Sequence, residues 1–331
     1  MNVTAGVNSK TSPVKMTVSA IIPSFNAGRF IAAAVESIRQ QGTAVREIII
    51  VDDGSTDNTQ ELVAVLGEGI RYVRQVNAGP SAARNLGVKL ATSPLVAFLD
   101  ADDVWTPNKI AEQLPVFQAY ADVGLVASDM TETDVDGKVV IPSVLEAHNL
   151  LSFFQGLSAT PVPQALRRLV EKNFIPTGTV IVKKNLLMEL GGFNPEIRYG
   201  EDLELWAKVA ARTPIVCLPR VHMLRRQHGS NATQATEPML GDLVKVMKNI
   251  RDCCGAALQV QGVDIDAKIS QALFDLAYWH FVAGDLKTAR DIFRQSQSYK
   301  PRLTTAAHIA ASRLPKPVVN AMRQVKHHLI K

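Results

Sequence analysis

The feature that most constrains the fold is a short apolar run, residues 95–99, that ends abruptly in acidic side chains. Asp100, Asp102 and Asp103 follow it directly. A strand that is apolar on both faces is typical of a parallel sheet covered by helices. Carboxylates crowded at its end repel one another, and a divalent cation with oxygen ligands is the usual compensation. The pattern predicts a metal-dependent site for a phosphorylated substrate.

Strand and helix signals alternate through the first part of the chain, which predicts an α/β fold. The predicted strands are short apolar runs at residues 18–23, 47–51, 70–76, 94–99 and 123–127. The predicted helices have apolar residues at helical spacing and lie at 28–41, around Leu62, Val63 and Leu66, at 81–91, and after Thr106-Pro107. Asn26 is predicted to cap the first helix, and Thr106 the fourth, with Pro107 in its first turn.

The pattern is less regular farther along the chain. Asp136-Gly137 predicts a hairpin turn, and residues 143–172 predict helices and a flexible lid. Further strands are predicted at 179–182, 215–218 and 221–224, and further helices at 186–190 and 201–212. Beyond residue 237 every signal is helical. Residues 272–301 resemble one tetratricopeptide-type helical pair, with a packed helical appendage as the alternative interpretation.

The chain is therefore expected to have three parts. Residues 1–16 predict a flexible tail. Residues 17–236 predict an α/β domain with a mixed, mostly parallel sheet and helices on both faces. Residues 237–331 are predicted to form an all-helical region, and its last part, residues 302–331, is predicted to be a basic tail.

Basic residues are concentrated at the C-terminal end. The net charge is +5, yet no Asp or Glu follows Asp291, whereas eight of the 36 Lys and Arg residues do. They are Arg294, Lys300, Arg302, Arg313, Lys316, Arg323, Lys326 and Lys331. Apolar residues at helical spacing between 318 and 329 favour a membrane surface over nucleic acid as the anionic partner. A solvated helix end, or a helix packed on its own domain, explains the tail equally well.

Several features predict a cytoplasmic protein, with a peripheral contact at the inner face of the membrane. No apolar stretch reaches the roughly 18 residues that a membrane-spanning helix needs. Residues 1–16 lack the apolar centre of a signal peptide. Cys217, Cys253 and Cys254 have neither the number nor the spacing of a disulfide framework or a zinc site.

Six motifs follow one another in the order seen in one enzyme family. They are Ile-Pro-Ser-Phe-Asn at 22–26, Val-Asp-Asp-Gly-Ser-Thr-Asp at 51–57, Asn-Ala-Gly-Pro-Ser-Ala-Ala-Arg-Asn at 77–85, Phe-Leu-Asp-Ala-Asp-Asp at 98–103, Gly-Gly-Phe at 191–193 and Gly-Glu-Asp at 200–202. Over residues 17–230 the chain resembles family 2 glycosyltransferases of the GT-A fold. The resemblance implies inverting transfer of a sugar from a UDP- or dTDP-linked donor to an acceptor hydroxyl. It also implies a divalent metal, Mg²⁺ or Mn²⁺.

The resemblance assigns the nucleotide pocket to two strand ends. Pro23, Ser24 and Phe25 are expected to line it, and Phe25 can stack on a pyrimidine although a core position is the alternative. Asp52 or Asp53 is expected to accept the imide N–H of uracil or thymine. The sequence does not decide between Asp52 and Asp53. A turn or a helix cap is an alternative explanation of the motif at 51–57.

The resemblance assigns the diphosphate and the metal to the Asp-x-Asp element. Asp100 and Ala101 are expected to contact the donor, and Asp102, with Asp100, the metal. Asp103 is expected to support Asp100 and Asp102 or to cap the next turn. Arg84 is expected to pair with the diphosphate, with a surface helix arginine as the alternative.

Asp202 is the candidate general base, because the acceptor hydroxyl must lose a proton as it attacks. An acidic helix start is the alternative, and Glu201 fits that alternative better. Arg225, Arg226 and His228 are expected to close over the diphosphate, with His228 as a further metal ligand. Gly191-Gly192 allow a close approach to the donor or simply end a helix.

The acceptor is expected to be a glycan or a lipid-linked precursor of cell-surface polysaccharide or glycolipid. Two other functions fit part of the sequence. Asp100-Ala101-Asp102 also matches the nucleophile motif of haloacid-dehalogenase-type phosphatases, in which Asp100 would attack phosphorus. A non-catalytic scaffold that binds sugar nucleotides is the second alternative.

Overall fold

The computed structural model describes residues 16–227 and 236–314. Nine strands form one sheet: β1 Val18–Ser24, β2 Val45–Asp52, β3 Ile70–Arg74, β4 Leu95–Phe98, β5 Val104–Trp105, β6 Leu125–Thr133, β7 Val139–Ile141, β8 Ile181–Lys183 and β9 Ile215–Arg226. The helices of the α/β part are α1 Ile31–Arg39, α2 Thr59–Val65, α3 Pro80–Leu90, α4 Lys109–Ala119, α5 Val144–Ala147, α6 Leu151–Leu157, α7 Ala165–Glu171, α8 Lys184–Glu189 and α9 Glu201–Ala210. Four more helices follow: α10 Glu237–Val260, α11 Ile265–Ala283, α12 Leu286–Tyr299 and α13 Leu303–Ala311.

The sheet is mixed, and its first half is parallel. The strand order is β3-β2-β1-β4-β8-β6-β9-β5, with β7 beside β6. Strand β1 pairs in parallel with β2 on one side and with β4 on the other. All residues of β1 and β4 are buried, because helices cover both faces of the sheet. This confirms the predicted fold class.

The second half of the sheet contains antiparallel pairs. Strand β8 runs antiparallel to both β4 and β6, and the two-residue strand β5 runs antiparallel to β9. The prediction of two separate strands at 215–218 and 221–224 is wrong, because β9 is continuous. Its register against β6 shifts from Leu218 to Val221, so that Pro219-Arg220 form an irregularity inside one strand.

Both predicted helix caps are wrong. Asn26 has a positive φ of 49°, and its Oδ1 accepts hydrogen bonds from Thr56 N and Asp57 N across the strand ends. The first helix begins only at Ile31. The Thr106 hydroxyl donates to the Val221 carbonyl at 3.0 Å, which ties the chain to β9, and α4 begins after Asn108. Polar side chains at these positions link distant segments instead of capping the next helix.

The C-terminal helices share a hydrophobic core with the α/β part. Val246, Met247 and Ile250 of α10 lie in the same buried cluster as Leu205 and Trp206 of α9. Helices α11 and α12 form a helical pair joined at Gly284, which has a φ of 84°. Its resemblance to a tetratricopeptide-type pair stays a prediction. Nearly all of the predicted flexible tail, and residues 315–331 of the predicted basic tail, lie outside the described residues.

Candidate active site

Three parallel strands place their carboxyl ends at one edge of the sheet. Because β1 lies between β2 and β4, Ser24, Asp52 and the loop after Phe98 come to the same edge. Ligands of open α/β sheets bind at this edge. The predicted residues Pro23, Phe25 and Asp53 lie there as well. The sheet thus gathers the two acidic motifs that are distant in sequence.

Asp52 is fully buried and is bound from both sides. Its Oδ1 accepts from Ser55 N at 2.8 Å, and its Oδ2 accepts from the Tyr72 hydroxyl. Burial works against ionisation, but the hydrogen bonds from Tyr72 and Ser55 prevail and lower the pKa of Asp52. Asp52 is therefore favoured in its ionised form, and its hydrogen bonds fix the turn after β2.

Asp53 anchors the loop that leads into α3. Its Oδ1 accepts from Gln75 Nε2 at 2.7 Å and from Ala78 N at 2.8 Å, and its Oδ2 accepts from Gly79 N at 2.8 Å. Gly79 has a φ of 87°, which only glycine adopts without strain. Both Asp52 and Asp53 thus have protein partners, and which of them faces a nucleotide base stays a prediction.

The segment after β1 combines a buried hydroxyl with an exposed ring. Ser24 is buried, and its hydroxyl has no hydrogen-bond partner among the described residues. The neighbouring Phe25 is 52% exposed, so the alternative that it is a core residue is wrong. An exposed aromatic ring at this edge is available for stacking on a base.

Arg84 connects the loop after β4 to the start of α9. Its Nη2 donates to Asp100 Oδ1 and its Nη1 to Glu201 Oε1, each at 2.8 Å. The Arg84 side chain is 6% exposed, so the alternative of a surface arginine is wrong. The guanidinium also lies 5.3 Å from the centre of the Phe193 ring. Its predicted contact with a diphosphate stays a prediction.

The loop between β4 and β5 carries a surplus of negative charge. Asp103 is buried, and its Oδ1 accepts from Arg226 N of β9 at 3.0 Å. Burial, followed by the charges of Asp102 and Asp100, raises the pKa of Asp103 well above its usual value. Arg226 also donates from Nη1 to the Asp102 carbonyl at 3.3 Å. Ala101, between the acids, is buried.

Asp202 and Glu201 are two adjacent carboxylates with different partners. Asp202 Oδ1 accepts from Leu203 N at 2.6 Å, and its Oδ2 from Asn173 Nδ2 at 3.4 Å. Burial raises the pKa of Asp202, and the charge of Asp100 adds to the effect. Burial and the charge of Asp202 raise the pKa of Glu201 to about 7, although Arg84 opposes them. A carboxylate with a raised pKa is suited to accept a proton near neutral pH.

Two of the three predicted residues at the end of β9 can be located. Arg225 Nη1 donates to Glu132 Oε1 of β6 at 3.1 Å, so the charge of Arg225 is paired with a carboxylate of the neighbouring strand. Arg226 contacts Asp102 and Asp103 in the loop between β4 and β5, residues 99–103, which we call the acidic loop. His228 lies outside the described residues, and its predicted role as a metal ligand stays a prediction.

The acidic loop has the donor chemistry for a hard divalent ion. In the described ranges 16–227 and 236–314, no group of three or more His, Cys, Asp and Glu side chains could enclose a metal. A Mg²⁺-type ion needs only one or two protein carboxylates when phosphate oxygens and waters complete its shell. Asp102 and the partly exposed Asp100 fit that arrangement, and the mutual repulsion felt by Asp103 favours a cation nearby.

The sequence did not reveal several residues of this site. The sequence favours Glu201 as an acidic helix start, whereas Glu201 forms a largely buried ion pair with Arg84. Tyr72 and Asn173, which contact Asp52 and Asp202, belong to no motif. Position 192 needs a glycine because of Asn85: a Cβ at this position would lie 2.3 Å from Asn85 Oδ1. These contacts join distant segments, and no local spacing signals them.

Part of this chain is similar in sequence to a known protein family. Residues 19–166 match the model of the family described as Glycosyl transferase family 2. An uncharacterized glycosyltransferase of Nostoc sp. is 42% identical over 115 residues, which are 34% of this chain and 36% of that protein. One of Rickettsia felis is 34% identical over 201 residues, 60% of this chain and 31% of that protein. The chain thus spans about a third of these relatives' length.

Solved structures share the fold over most of the chain. The crystal structure of S. aureus TarS 1–349 has a TM-score of 0.60 and 18% identity, and the match covers 93% of this chain and 87% of that one. TarS 1–349 in complex with UDP-GlcNAc has a TM-score of 0.60 and 16% identity, with 93% and 88% covered. At such identities the likeness establishes the fold. This chain is thus similar to family 2 glycosyltransferases over residues 19–166 and to the solved structures in its fold.

Proposed function

We propose that this protein is an inverting glycosyltransferase that moves a hexose-type sugar from a UDP- or dTDP-linked donor to an acceptor hydroxyl. The observation that carries the proposal is the connection of the acidic loop to the start of α9 through Arg84, which groups Asp100, Glu201 and Asp202. Solved TarS structures hold UDP and UDP-GlcNAc, so these two compounds are the first ligands to test.

Each part of the site has a distinct task in this proposal. Asp202 accepts the proton of the attacking hydroxyl, and its raised pKa suits that transfer. Its negative charge also stabilises the positive charge that develops on the sugar ring in the transition state. Phe25 offers a stacking surface, and Asp52 or Asp53 accepts the imide N–H of the base. The hydroxyl attacks the anomeric carbon as the bond to the nucleoside diphosphate breaks.

Asp102 and Asp100 would hold a divalent metal, Mg²⁺ or Mn²⁺. When bound, such an ion neutralises charge on the leaving nucleoside diphosphate. The residues of this chain supply hard oxygen ligands, and Arg226 supplies a cation beside them.

Metal-linked stabilisation should depend on Asp102. With UDP present throughout, Mn²⁺ at about 100 times its dissociation constant should raise the unfolding free energy of the wild-type protein by about 2.7 kcal/mol. Asp102→Ala should lose this gain, and Asp122→Ala, which removes an exposed carboxylate elsewhere, should keep it. Thermal unfolding with and without Mn²⁺ measures the difference. An equal gain in Asp102→Ala would contradict the assignment.

We further propose that the acceptor is a glycan or lipid-linked precursor of cell-surface polysaccharide or glycolipid, reached at a membrane surface through the basic C-terminus. Helix α13 exposes Leu303 by 90%, and Leu314 beyond it by 40%. None of the helices in the described ranges is both long and apolar enough to cross a membrane.

Deletion of residues 313–331 tests the membrane contact. The full chain should sediment with vesicles that contain anionic lipid and remain in solution with purely zwitterionic vesicles. The truncated chain should remain in solution with both. If truncation leaves sedimentation with anionic vesicles unchanged, the tail does not make the contact.

A further inference from the structure

The approach to α9 is fixed by a helix that follows the α/β part in sequence. Asp242 of α10 is 7% exposed, and its Oδ2 accepts from Arg198 N at 2.9 Å and from Tyr199 N at 3.2 Å. Its Oδ1 accepts from Lys245 Nζ at 2.8 Å. Arg198 and Tyr199 directly precede Gly200, after which α9 begins. One carboxylate thus satisfies two backbone N–H groups of the loop that leads to Glu201 and Asp202.

Gly200 brings this loop against α10. It has a φ of 83°, and a Cβ at this position would lie 3.4 Å from Val246 Cγ2. Gly200 offers no side-chain cap to the first turn of α9, so contacts made from outside the helix help to fix its position. Helix α10 provides such contacts to residues 198–200, and Arg84 binds Glu201.

The next turn of α9 is also bound to α10. Glu204 is buried, and its Oε2 accepts from Asn249 Nδ2 of α10 at 3.0 Å. Its Oε1 accepts from Lys208 Nζ at 2.5 Å. Below these polar contacts, Leu205 and Trp206 of α9 pack in one cluster with Val246 and Ile250 of α10. The helix that carries the candidate base is therefore held by Arg84 on one side and by α10 on the other.

We infer that Asp242 is a positioning residue for the transfer reaction, and that α10 is part of the catalytic unit. The inference rests on the proposed function. Asp242 touches neither donor nor acceptor in this scheme; it fixes residues 198–200 and so the direction of the Asp202 carboxylate. Misplacement of a catalytic group by about 1 Å costs up to about 100-fold in rate. The boundary predicted at residue 236 would then divide a single functional unit.

Three variants of the full chain test the inference. Asp242→Ala removes both backbone contacts, Asp242→Asn keeps an oxygen that can accept them, and Asp252→Ala removes an exposed carboxylate from the same helix. With the UDP-sugar that wild type turns over fastest, UDP release should fall about 10- to 100-fold in kcat for Asp242→Ala, with KM for the donor unchanged. Asp242→Asn should recover most of the rate, and Asp252→Ala should match wild type.

Hydrogen exchange separates this inference from the proposed function, because it needs no turnover. In Asp242→Ala, the amides of residues 198–204 should exchange faster, while those of β1 and β4 keep their wild-type protection. Faster exchange in Asp242→Ala, combined with a wild-type protein that turns over no sugar nucleotide, would support the contact of α10 with residues 198–200 and contradict the proposed function. Unchanged exchange and unchanged kcat in a folded Asp242→Ala would overturn the inference. A fall in kcat that Asp242→Asn does not recover would also overturn it.

Discussion

Asp202→Asn is expected to lower sugar transfer by about 10²- to 10⁴-fold, the usual contribution of a positioned general base. The amide has nearly the shape of the carboxylate, and its oxygen can still accept from Leu203 N. It cannot take a proton from the acceptor hydroxyl. UDP binding, measured by calorimetry with Mn²⁺, should stay at the wild-type level, while UDP release from a sugar nucleotide should nearly vanish.

The pH dependence of kcat checks the same assignment. A base works in its ionised form, and burial raises the pKa of Asp202. Wild-type kcat should therefore fall on the acid side with an apparent pKa above the roughly 3.9 of an ordinary aspartate. The residual rate of Asp202→Asn should not show this fall. Glu196→Gln, a change at an exposed acid of the preceding loop, should behave as wild type.

Glu201 is the nearest competitor for the role of base. Its pKa is raised to about 7, but one of its oxygens is bound to Arg84 at 2.8 Å. Glu201→Gln should therefore keep measurable turnover, in contrast to Asp202→Asn. Wild-type turnover in Asp202→Asn together with its loss in Glu201→Gln would move the base to Glu201.

Arg84→Met is expected to cause the largest loss of stability. It leaves two carboxylates, Asp100 and the largely buried Glu201, without their common partner. Removing one partner of a buried ion pair costs about 3–5 kcal/mol. Solvent screening of the partly exposed Asp100 reduces this, so that we expect about 3 kcal/mol in the free energy of unfolding at pH 8.

The loss should become smaller at lower pH. Arg84 lowers the pKa of Glu201, so its removal raises that pKa above about 7. At pH 5.5 Glu201 then carries a proton, and a neutral carboxyl needs no cation. Urea unfolding of Arg84→Met at pH 8 and at pH 5.5 should show a larger deficit at pH 8. Arg294→Met, which breaks an exposed pair with Asp291, should cost less than about 1 kcal/mol at either pH. A deficit in Arg84→Met that is equally small would contradict the bridging role.

Arg84→Lys shows whether geometry matters beyond charge. A guanidinium can donate in two directions at once, and an ammonium on a flexible stem matches this fork poorly. The lysine variant should recover part of the stability and less of the turnover. Equal recovery of both would mean that the charge alone is required.

Local patterns in the sequence are sufficient for the α/β architecture. Apolar runs of strand length at 18–23, 47–51 and 94–99 correspond to β1, β2 and β4, because a strand buried on both faces must be apolar throughout. The position of Asp52 and Asp100 at strand ends follows from the same runs. Parallel pairing then brings these carboxylates to one edge of the sheet.

Local patterns fail where a polar side chain has a choice of partners. Asn26 and Thr106 have the chemistry of helix caps, yet in the fold they connect segments that are distant in sequence. Strand β8 lies antiparallel between β4 and β6, and no local sequence pattern in these three strands predicts that position. Such outcomes depend on which segments become neighbours during packing.

The amino-acid sequence by itself therefore determined the layered sheet and the gathering of acids at its edge, since both follow from residue periodicity. Only the tertiary structure decided how those acids are held. Arg84 reaches Asp100 across 16 residues and Glu201 across 117, and Asp242 reaches Arg198 across 44. Contacts over such separations form only when the core has packed, because no local interaction can bring their partners together.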